Sequence, residues 1–428
     1  MLATVIMIIV FFIFIIIGMP ISFALLIAAI IYIIYNGDIS LIIVPIRLLR
    51  STNSFTLLSV PFFVLAGNLM NMTGLTKTLV DFADLFVGHL RGGLAHVTIV
   101  TSMFFGGCTG NAISDAIAVG KVLIPTMADK GYEKDFTAAV VAAASTMGPI
   151  IPPSIAFVLY AGVSNLSIRD LFIAGIIPGI LICLFQMVVA AYYSHKRNYP
   201  KRTKKITIKE ALLITRKAIF AIAGACGGVG AGRAGVFTPT EAAAIGAFYA
   251  FLIGVFVYRE LTLHKLIKIL IESAVESGAV MLIVGAASLF GYAIANEQLP
   301  IKFAQMVLDI TTNKFYALMM VNSMLLVMGM FMDSAPAIVI ITPVLLPLYN
   351  ALGIDPLQAG IITCVNLVTG LATPPVGCCL FATSVMSHEP FEKVSKAIFP
   401  FILANIAVLL LISYVPVVTL FVPRIFGY

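Results

Sequence analysis

The sequence predicts an all-α polytopic membrane protein built from two inverted halves, each with one re-entrant helical hairpin and one broken helix. Three observations predict it. Of the 428 residues, 61% are hydrophobic and 11% charged, and the mean hydropathy is +1.09. Soluble domains carry about 25% charged residues, and no soluble interior of this size holds so much apolar side chain. Second, the apolar runs are long and continuous, without the alternation of barrel strands over about ten residues. They match the roughly 20 apolar residues of one helical crossing. Third, Gly and Pro interrupt these runs at positions that recur at one spacing.

Taken in order, residues 2–35 are too long for one perpendicular crossing, and Gly18-Met19-Pro20 divides them into two short helices or one kinked helix. The stretch LATVIMIIVFFIFIII has no basic leader and no A-x-A cleavage site, so it reads as a membrane helix rather than a removed signal. Phe55–Met70 is the next crossing. Lys77–Arg91 is amphipathic, with Leu79, Val80, Phe82, Ala83 and Phe86 on one face, as suits a helix lying in the interface. Gly92–Ala128 is broken at FFGGCTGNAISDA, and Phe136–Tyr160 is broken at Gly148–Pro153. Leu171–Tyr193 crosses and enters the loop His195–Lys217, whose nine Lys/Arg against one Glu place it in the cytoplasm. That loop carries much of the +7 net charge, which is therefore no sign of nucleic-acid binding. The second half runs through Ala218–Val236, Ala242–Tyr258, an interfacial stretch with His264, Lys265 and Lys268, the crossing Ala279–Ala295, and a short amphipathic segment 300–310. Phe315–Leu348 is broken at GMFMDSAP, Pro356–Met386 at GLATPPVG, and Ile398–Val422 is the last crossing.

The breaks are paired. Gly148 and Gly370 differ by 370 − 148 = 222, and the same shift carries Pro152-Pro153 onto Pro374-Pro375, Pro125 onto Pro347, Gly131 onto Gly353, Gly107 onto Gly329 and Val122-Leu123 onto Val344-Leu345. One gapless register thus holds over 107–153, the mark of an internal duplication. With the basic loop inside, 92–128 starts and ends in the cytoplasm, so it is a re-entrant hairpin with its tip at Gly106–Gly110. Counting on, 315–348 starts and ends outside, and the halves are inverted.

An unwound segment at membrane depth must face protein or a water-filled cavity. Glycine allows the unusual backbone, proline frees a carbonyl, and freed carbonyls suit a hard cation such as Na⁺. The N-termini of the following half-helices favour an anion. Paired breaks of this kind point to a secondary transporter. Polar groups near the breaks are Thr109, Asn111, Ser114, Asp115, Ser145 and Ser154 in the first half, and Asp333, Ser334, Asn366, Thr369 and Thr373 in the second. Carboxylates at this depth cost about 2.5–3.5 kcal/mol, so Asp115 and Asp333 need partners: a cation, or the backbone of the half-helix each one caps. Thr238-Pro239-Thr240-Glu241 has the pattern of a capping box, and Arg233 in GAGRAG is placed to pair with Glu241 or to sit at an interface. The histidines and the six cysteines show no metal or disulfide spacing, and GACGGVGAG lacks the GK[ST] ending of a phosphate-binding loop. A membrane-embedded enzyme would need a nucleophile–base or metal constellation at depth, and none is present; a channel would also use two hairpins, but without ion coupling.

The stretches FFGGCTGNAISDAIAVGKVLIPTMADKGY, STMGPIIPPSIAFVLYAG, GVFTPTEAAAIGAFYAF, MGMFMDSAPAIVIITPVLLP and GLATPPVG resemble the large membrane (M) subunit of tripartite ATP-independent periplasmic (TRAP) transporters over nearly the whole chain, and most of all those of sialic-acid systems. The resemblance implies an elevator-type, Na⁺-coupled importer of an organic acid in the bacterial inner membrane, with sialic acid as the first candidate substrate, no cofactor beyond sodium ions, and no enzymatic activity. It implies two partners, a periplasmic substrate-binding (P) protein and a small four-helix membrane (Q) subunit. A related elevator carrier of di- or tricarboxylates working alone is the nearest alternative. By motif, cation binding falls at Gly106, Cys108, Thr109, Asn111, Asp115, Ser145 and Gly148, and at Gly329, Asp333, Gly370, Ala372 and Thr373. Substrate falls between the tips, at Asn111, Ser114, Pro152, Ser154, Ser334 and Pro374. The implied division is a scaffold with interfacial arm over 1–91, a first transport half over 92–170 (hairpin 92–128, broken helix 133–163), scaffold again over 171–314 including loop 195–217, a second transport half over 315–388 (hairpin 315–348, broken helix 356–386), and a scaffold helix over 389–428. Two features depart from the family pattern: GGCTGN stands where a small Ser is common in the first tip, and Ala221–Gly235 is rich in Gly and charged.

Overall fold

The computed structural model describes residues 2–72, 74–202, 206–216, 218–219, 238–258 and 260–428, apart from the side chains of Leu75, Cys108 and Pro239. Among them no strand forms, only an isolated bridge between Arg91 and Lys201. The expected crossing over 218–236, with Cys226 and Arg233, lies outside the described residues except for 218–219.

Gly18, at φ +85°, divides the N-terminal run into α1 (Leu2–Ile16) and α2 (Ile21–Asn36), with Pro20 as the N-cap of α2. The two-helix alternative is therefore the one adopted. A short helix that apolar periodicity did not reveal, α3 (Ile43–Thr52), follows and carries Arg47 and Arg50. Then come α4 (Ser59–Met72) and the amphipathic α5 (Leu75–Val87). The first hairpin is α6 (Gly93–Thr109) with α7 (Ala112–Asp129), and the first broken helix is α8 (Lys134–Ser145) with α9 (Ile155–Ser164). The long α10 (Ile168–Lys196) leads into the basic loop, part of which, 208–216, is helical.

Helix α11 (Pro239–Phe256) opens on the expected capping box: Thr238 Oγ1 accepts from the Glu241 amide, and the Glu241 carboxylate accepts from the Thr238 amide at 2.7 Å. The interfacial stretch and crossing expected over 264–295 form one continuous 34-residue helix, α12 (Leu263–Asn296); it contains no proline to end it. After α13 (Leu299–Ile310) come the second hairpin, α14 (Lys314–Phe331) with α15 (Ser334–Ala351), and the second broken helix, α16 (Pro356–Gly370) with α17 (Cys378–Ser387). The last expected crossing is two helices, α18 (Phe391–Tyr414) and α19 (Pro416–Ile425), because Pro416 brings no N–H to continue the ladder.

Among the described residues five helices are long and apolar enough to cross a membrane: α10, α12, α14, α15 and α18. The halves repeat element by element. Gly131 and Gly353 both take positive φ after their hairpins, and the Pro152-Pro153 and Pro374-Pro375 bonds are both cis. The register is not gapless at the tips. Gly106, rather than Gly107, meets Gly148 in the first break, while Gly107 lies against Pro152 O, whereas Gly329 meets Gly370 in the second. Five residues separate Gly106 from the N-cap Asn111 and four separate Gly329 from the N-cap Asp333. The extra residue is accommodated at Gly110, which ends α6 at φ +63°, a conformation open to glycine.

Packing sorts the helices into two groups. One joins α1 to α2, α2, α3 and α4 to α12, and α4 to α11. The other joins the hairpins and broken helices to α10 and α18, which pack on each other and on α8 and α16. Helices α10 and α18, which the sequence-based division gave to the scaffold, pack on α8 and α16. Buried amides make that attachment specific. Gln186 Nε2 donates to Ala143 O and to Asn405 Oδ1, both at 2.9 Å, and Asn405 Nδ2 donates to Thr146 Oγ1 at 3.3 Å. In the other half Asn366 Nδ2 donates to Asn322 Oδ1 at 2.8 Å, Asn322 Nδ2 to Ser413 Oγ at 3.0 Å, and Gln358 Nε2 to Ile412 O at 3.0 Å. Away from water, each of these amide N–H bonds is costly to break.

Candidate functional site

Each hairpin tip lies against the break of the broken helix in its own half, and glycine makes the approach possible on both sides. In the first junction a Cβ on Gly106 would stand 2.5 Å from the Cα of Gly148, and a Cβ on Gly148 would run into the Asp115 carboxylate. Gly110 fits under the break in the same way, since a Cβ there would stand 2.9 Å from Pro153 O. In the second junction a Cβ on Gly370 would stand 2.5 Å from the Cα of Gly329, and one on Gly329 would stand 2.5 Å from Leu367 O. Backbone thus meets backbone at both places.

The carboxylates are held differently. Asn111 caps α7, its Oδ1 accepting from the amides of Ile113 at 2.9 Å and Ser114 at 3.2 Å. Asp115 lies one turn further in, wholly buried, with Oδ1 accepting from Thr109 Oγ1. Its Oδ2 is buried without a hydrogen-bond partner among the described residues, beside Gly106 and Gly148. Asp333 is itself the cap of α15, and its Oδ1 accepts from the Ser334 amide at 2.6 Å and from Ser334 Oγ at 3.3 Å. The unpartnered buried oxygen of the second junction belongs to Asn366, one turn before Gly370. Asp115 Oδ2 and Asn366 Oδ1 are thus buried acceptors without a hydrogen-bond partner among the described residues, which contain no group of three or more His, Cys, Asp or Glu ready for a transition metal. Oxygen acceptors of this kind suit a hard, weakly selective cation.

The other expected residues divide by how their polar capacity is used. Ser145 Oγ donates to Ala142 O at 2.8 Å, and Thr373 Oγ1 to Thr369 O at 2.9 Å. Ala372 is buried, its amide donating to Thr369 O at 3.2 Å. Ser154 caps α9, accepting from Phe157 N while donating to Pro149 O, so it is consumed within the break. Ser114 is half-buried and its hydroxyl makes no hydrogen bond to a described residue, and Asn111 is exposed. Pro152 and Pro374 are half-buried beside their cis partners, and the Cys108 side chain lies outside the described set. One feature went unread in the sequence. The start of α17 packs on α7 and α8, where Ala112, Ala116, Leu371 and Cys379 form a small apolar cluster that seats the second junction against the first. Small residues there allow the close approach, but composition alone does not say which helix they meet.

Fold and site together define a polytopic helical membrane carrier with a duplicated hairpin-and-break core. Residues 8–418 match the family described as the tripartite ATP-independent periplasmic transporter, DctM component, and the chain belongs to that family. It is 38% identical over 418 residues to the sialic acid TRAP transporter large permease protein SiaM of Vibrio cholerae, covering 96% of both chains. It is 39% identical over 411 residues to the isethionate TRAP transporter permease protein DctMQ of Oleidesulfovibrio alaskensis, covering 96% of this chain and 65% of that one. Its fold is like that of the Alcanivorax borkumensis YdaH transporter, with a TM-score of 0.64 at 15% identity over 86% of each chain. The chain is thus a multi-pass integral membrane permease, not an enzyme.

Proposed function

We propose that the chain is the large permease of a Na⁺-coupled importer of an organic acid, with sialic acid the first candidate. A periplasmic binding protein delivers the acid, and a small membrane subunit braces the scaffold. The observation that carries the reading is the wholly buried Asp115, whose Oδ2 has no hydrogen-bond partner among the described residues at the point where Gly106 and Gly148 meet. A charge left so at membrane depth is a functional site by default, and a sodium ion is the co-substrate that fits it. Asp333 and Asn366 offer the second junction the same service. Two relatives are named for acids of different size and head group, a carboxylate sugar and a small sulfonate; negative charge is what they share, and it matches the half-helix N-termini at both tips. The fused DctMQ relative supports a membrane partner for this chain. The packing of α10 and α18 with the broken helices, and of α4 and α12 against the hairpins, supports an elevator in which the hairpin group slides against α1–α4, α11 and α12.

The test is uptake of labelled N-acetylneuraminate and isethionate in proteoliposomes with both partners present. An inward Na⁺ gradient should drive accumulation above equilibrium, and dissipating it should stop accumulation. Accumulation of neither acid under the gradient overturns the reading.

A further inference from the structure

Away from the tips, a cavity of about 350 Å³ opens between the two packing groups. Its walls are α3 and α12 on one side and α9 and α15 on the other, with Arg47, Ser288, Gly291, Tyr292, Gly162 and Val339 among the lining residues. The volume falls in the range of small-molecule sites, roughly 300–1,000 Å³. The guanidinium of Arg47 stands 4.5 Å from the centroid of the Tyr292 ring. Stacking holds the group in place but leaves its charge unneutralised, and among the described residues no carboxylate pairs with it. The Ser288 hydroxyl likewise makes no hydrogen bond to a described residue. A Cβ on Gly291 would meet nothing within 4 Å, so the floor of the cavity is open there. The cavity adjoins the ends of α9 and α12, on the side where, with the basic loop after α10 in the cytoplasm, α10 begins and 315–348 starts outside.

We infer that this cavity is an outer vestibule in which Arg47, backed by Tyr292, receives the acid group of the substrate before the substrate reaches the hairpin tips. The inference rests on the organic-acid reading above. A guanidinium grips a carboxylate or sulfonate through two parallel N–H bonds, which explains how one entry route serves either head group. The same chemistry fits the phosphate of an anionic lipid, so the experiment separates the two.

Full-length permease is reconstituted with its partners, and uptake of labelled N-acetylneuraminate and isethionate is measured for wild type, Arg47→Gln, Arg47→Lys and Gly291→Phe. Arg47→Gln should raise the apparent KM about tenfold or more, with the maximal rate within about twofold, as for a contact made on entry rather than at the transported site. Gly291→Phe fills the cavity without touching the charge and should do the same; it keeps the test open if Arg47→Gln fails to assemble. Arg47→Lys should fall between. Wild-type KM in both Arg47→Gln and Gly291→Phe overturns the vestibule and leaves the importer standing. No uptake by wild type overturns the importer and the vestibule with it. Each variant is run in phosphatidylcholine alone and with phosphatidylglycerol; an Arg47→Gln defect confined to the anionic lipid assigns the guanidinium to a headgroup and overturns the inference, while the same defect in both supports it.

Discussion

The first hairpin tip caps its second helix with an amide, Asn111, and keeps its carboxylate one turn inside at Asp115; the second tip caps with the carboxylate itself, Asp333, and has Ala337 at the position 115 + 222. The glycine contacts are alike and the charges are not. Duplication has kept what the backbone needs, since nothing larger than glycine fits between the tip and the break, while the acid has moved by a turn. A negative charge at either place favours the helix N-terminus by about 0.3–1 kcal/mol. That is too little to offset burial, so each acid needs its own further partner. Asp333 has a backbone amide; Asp115 has the Thr109 hydroxyl, and its Oδ2 has no hydrogen-bond partner among the described residues.

The largest effects should come from the glycines. At Gly370 the obstacles to a Cβ are all backbone, in Gly329 and Met330, whereas at Gly148 the nearest obstacle is the Asp115 side chain. Gly370→Ala should cost about 3 kcal/mol or more and is not relieved by any side-chain change. Gly148→Ala should be partly rescued by Asp115→Ala, a coupling that a double-mutant cycle on thermal stability reads directly. Equal damage without rescue would erase the distinction between the junctions. Next come Asp115→Asn and Asp333→Asn. Asparagine caps as well as aspartate at 333, and at 115 it keeps the shape and an oxygen for the Thr109 hydroxyl, so both variants should fold, but the apparent Na⁺ affinity of uptake should fall about tenfold to a hundredfold on loss of a charged contact, more for Asp115 than for Asp333. Thr109→Val strips Asp115 of its donor and should cost about 1–3 kcal/mol, seen as a lower melting temperature without sodium that added sodium partly restores. Ser334→Ala should be mildest, about 0.5 kcal/mol, because the 2.6 Å bond from the backbone amide to Asp333 survives it.

The sequence carried the helix-and-break plan because glycine and proline act locally: Gly18, Gly148–Pro153 and Gly370–Pro375 break the chain where they stand. It was silent where the deciding contact is distant. Helix α3 is short, with Pro45 inside and two arginines, so no apolar run marks it. The expected interfacial stretch at His264–Lys268 is the polar end of α12, where charge pattern alone does not distinguish an exposed helix end from a separate element. The tip register slipped by one because gapless matching rewards Gly107, whereas the structure selects the glycine that touches Gly148. Of the candidate site residues, Asp115 and Asp333 were legible as acids in apolar surroundings. That Ser154 is spent on Pro149 and Phe157, and that Asn366 carries a lone oxygen, follows only from the folded break. Arg47 stood out in no pattern at all, because its cavity is made by helices from both halves.

The bond between Gln186 and Asn405 spans 219 residues of chain. At a synthesis rate of about 5–20 residues per second, the ribosome delivers the second partner roughly 10–45 s after the first. Through that interval α10 sits in the bilayer with a carboxamide that lipid cannot satisfy, and Ala143 O, already made 43 residues earlier, is the acceptor within reach. The order of manufacture is thus written into the core: the first half holds a provisional bond, and the arrival of α18 completes it.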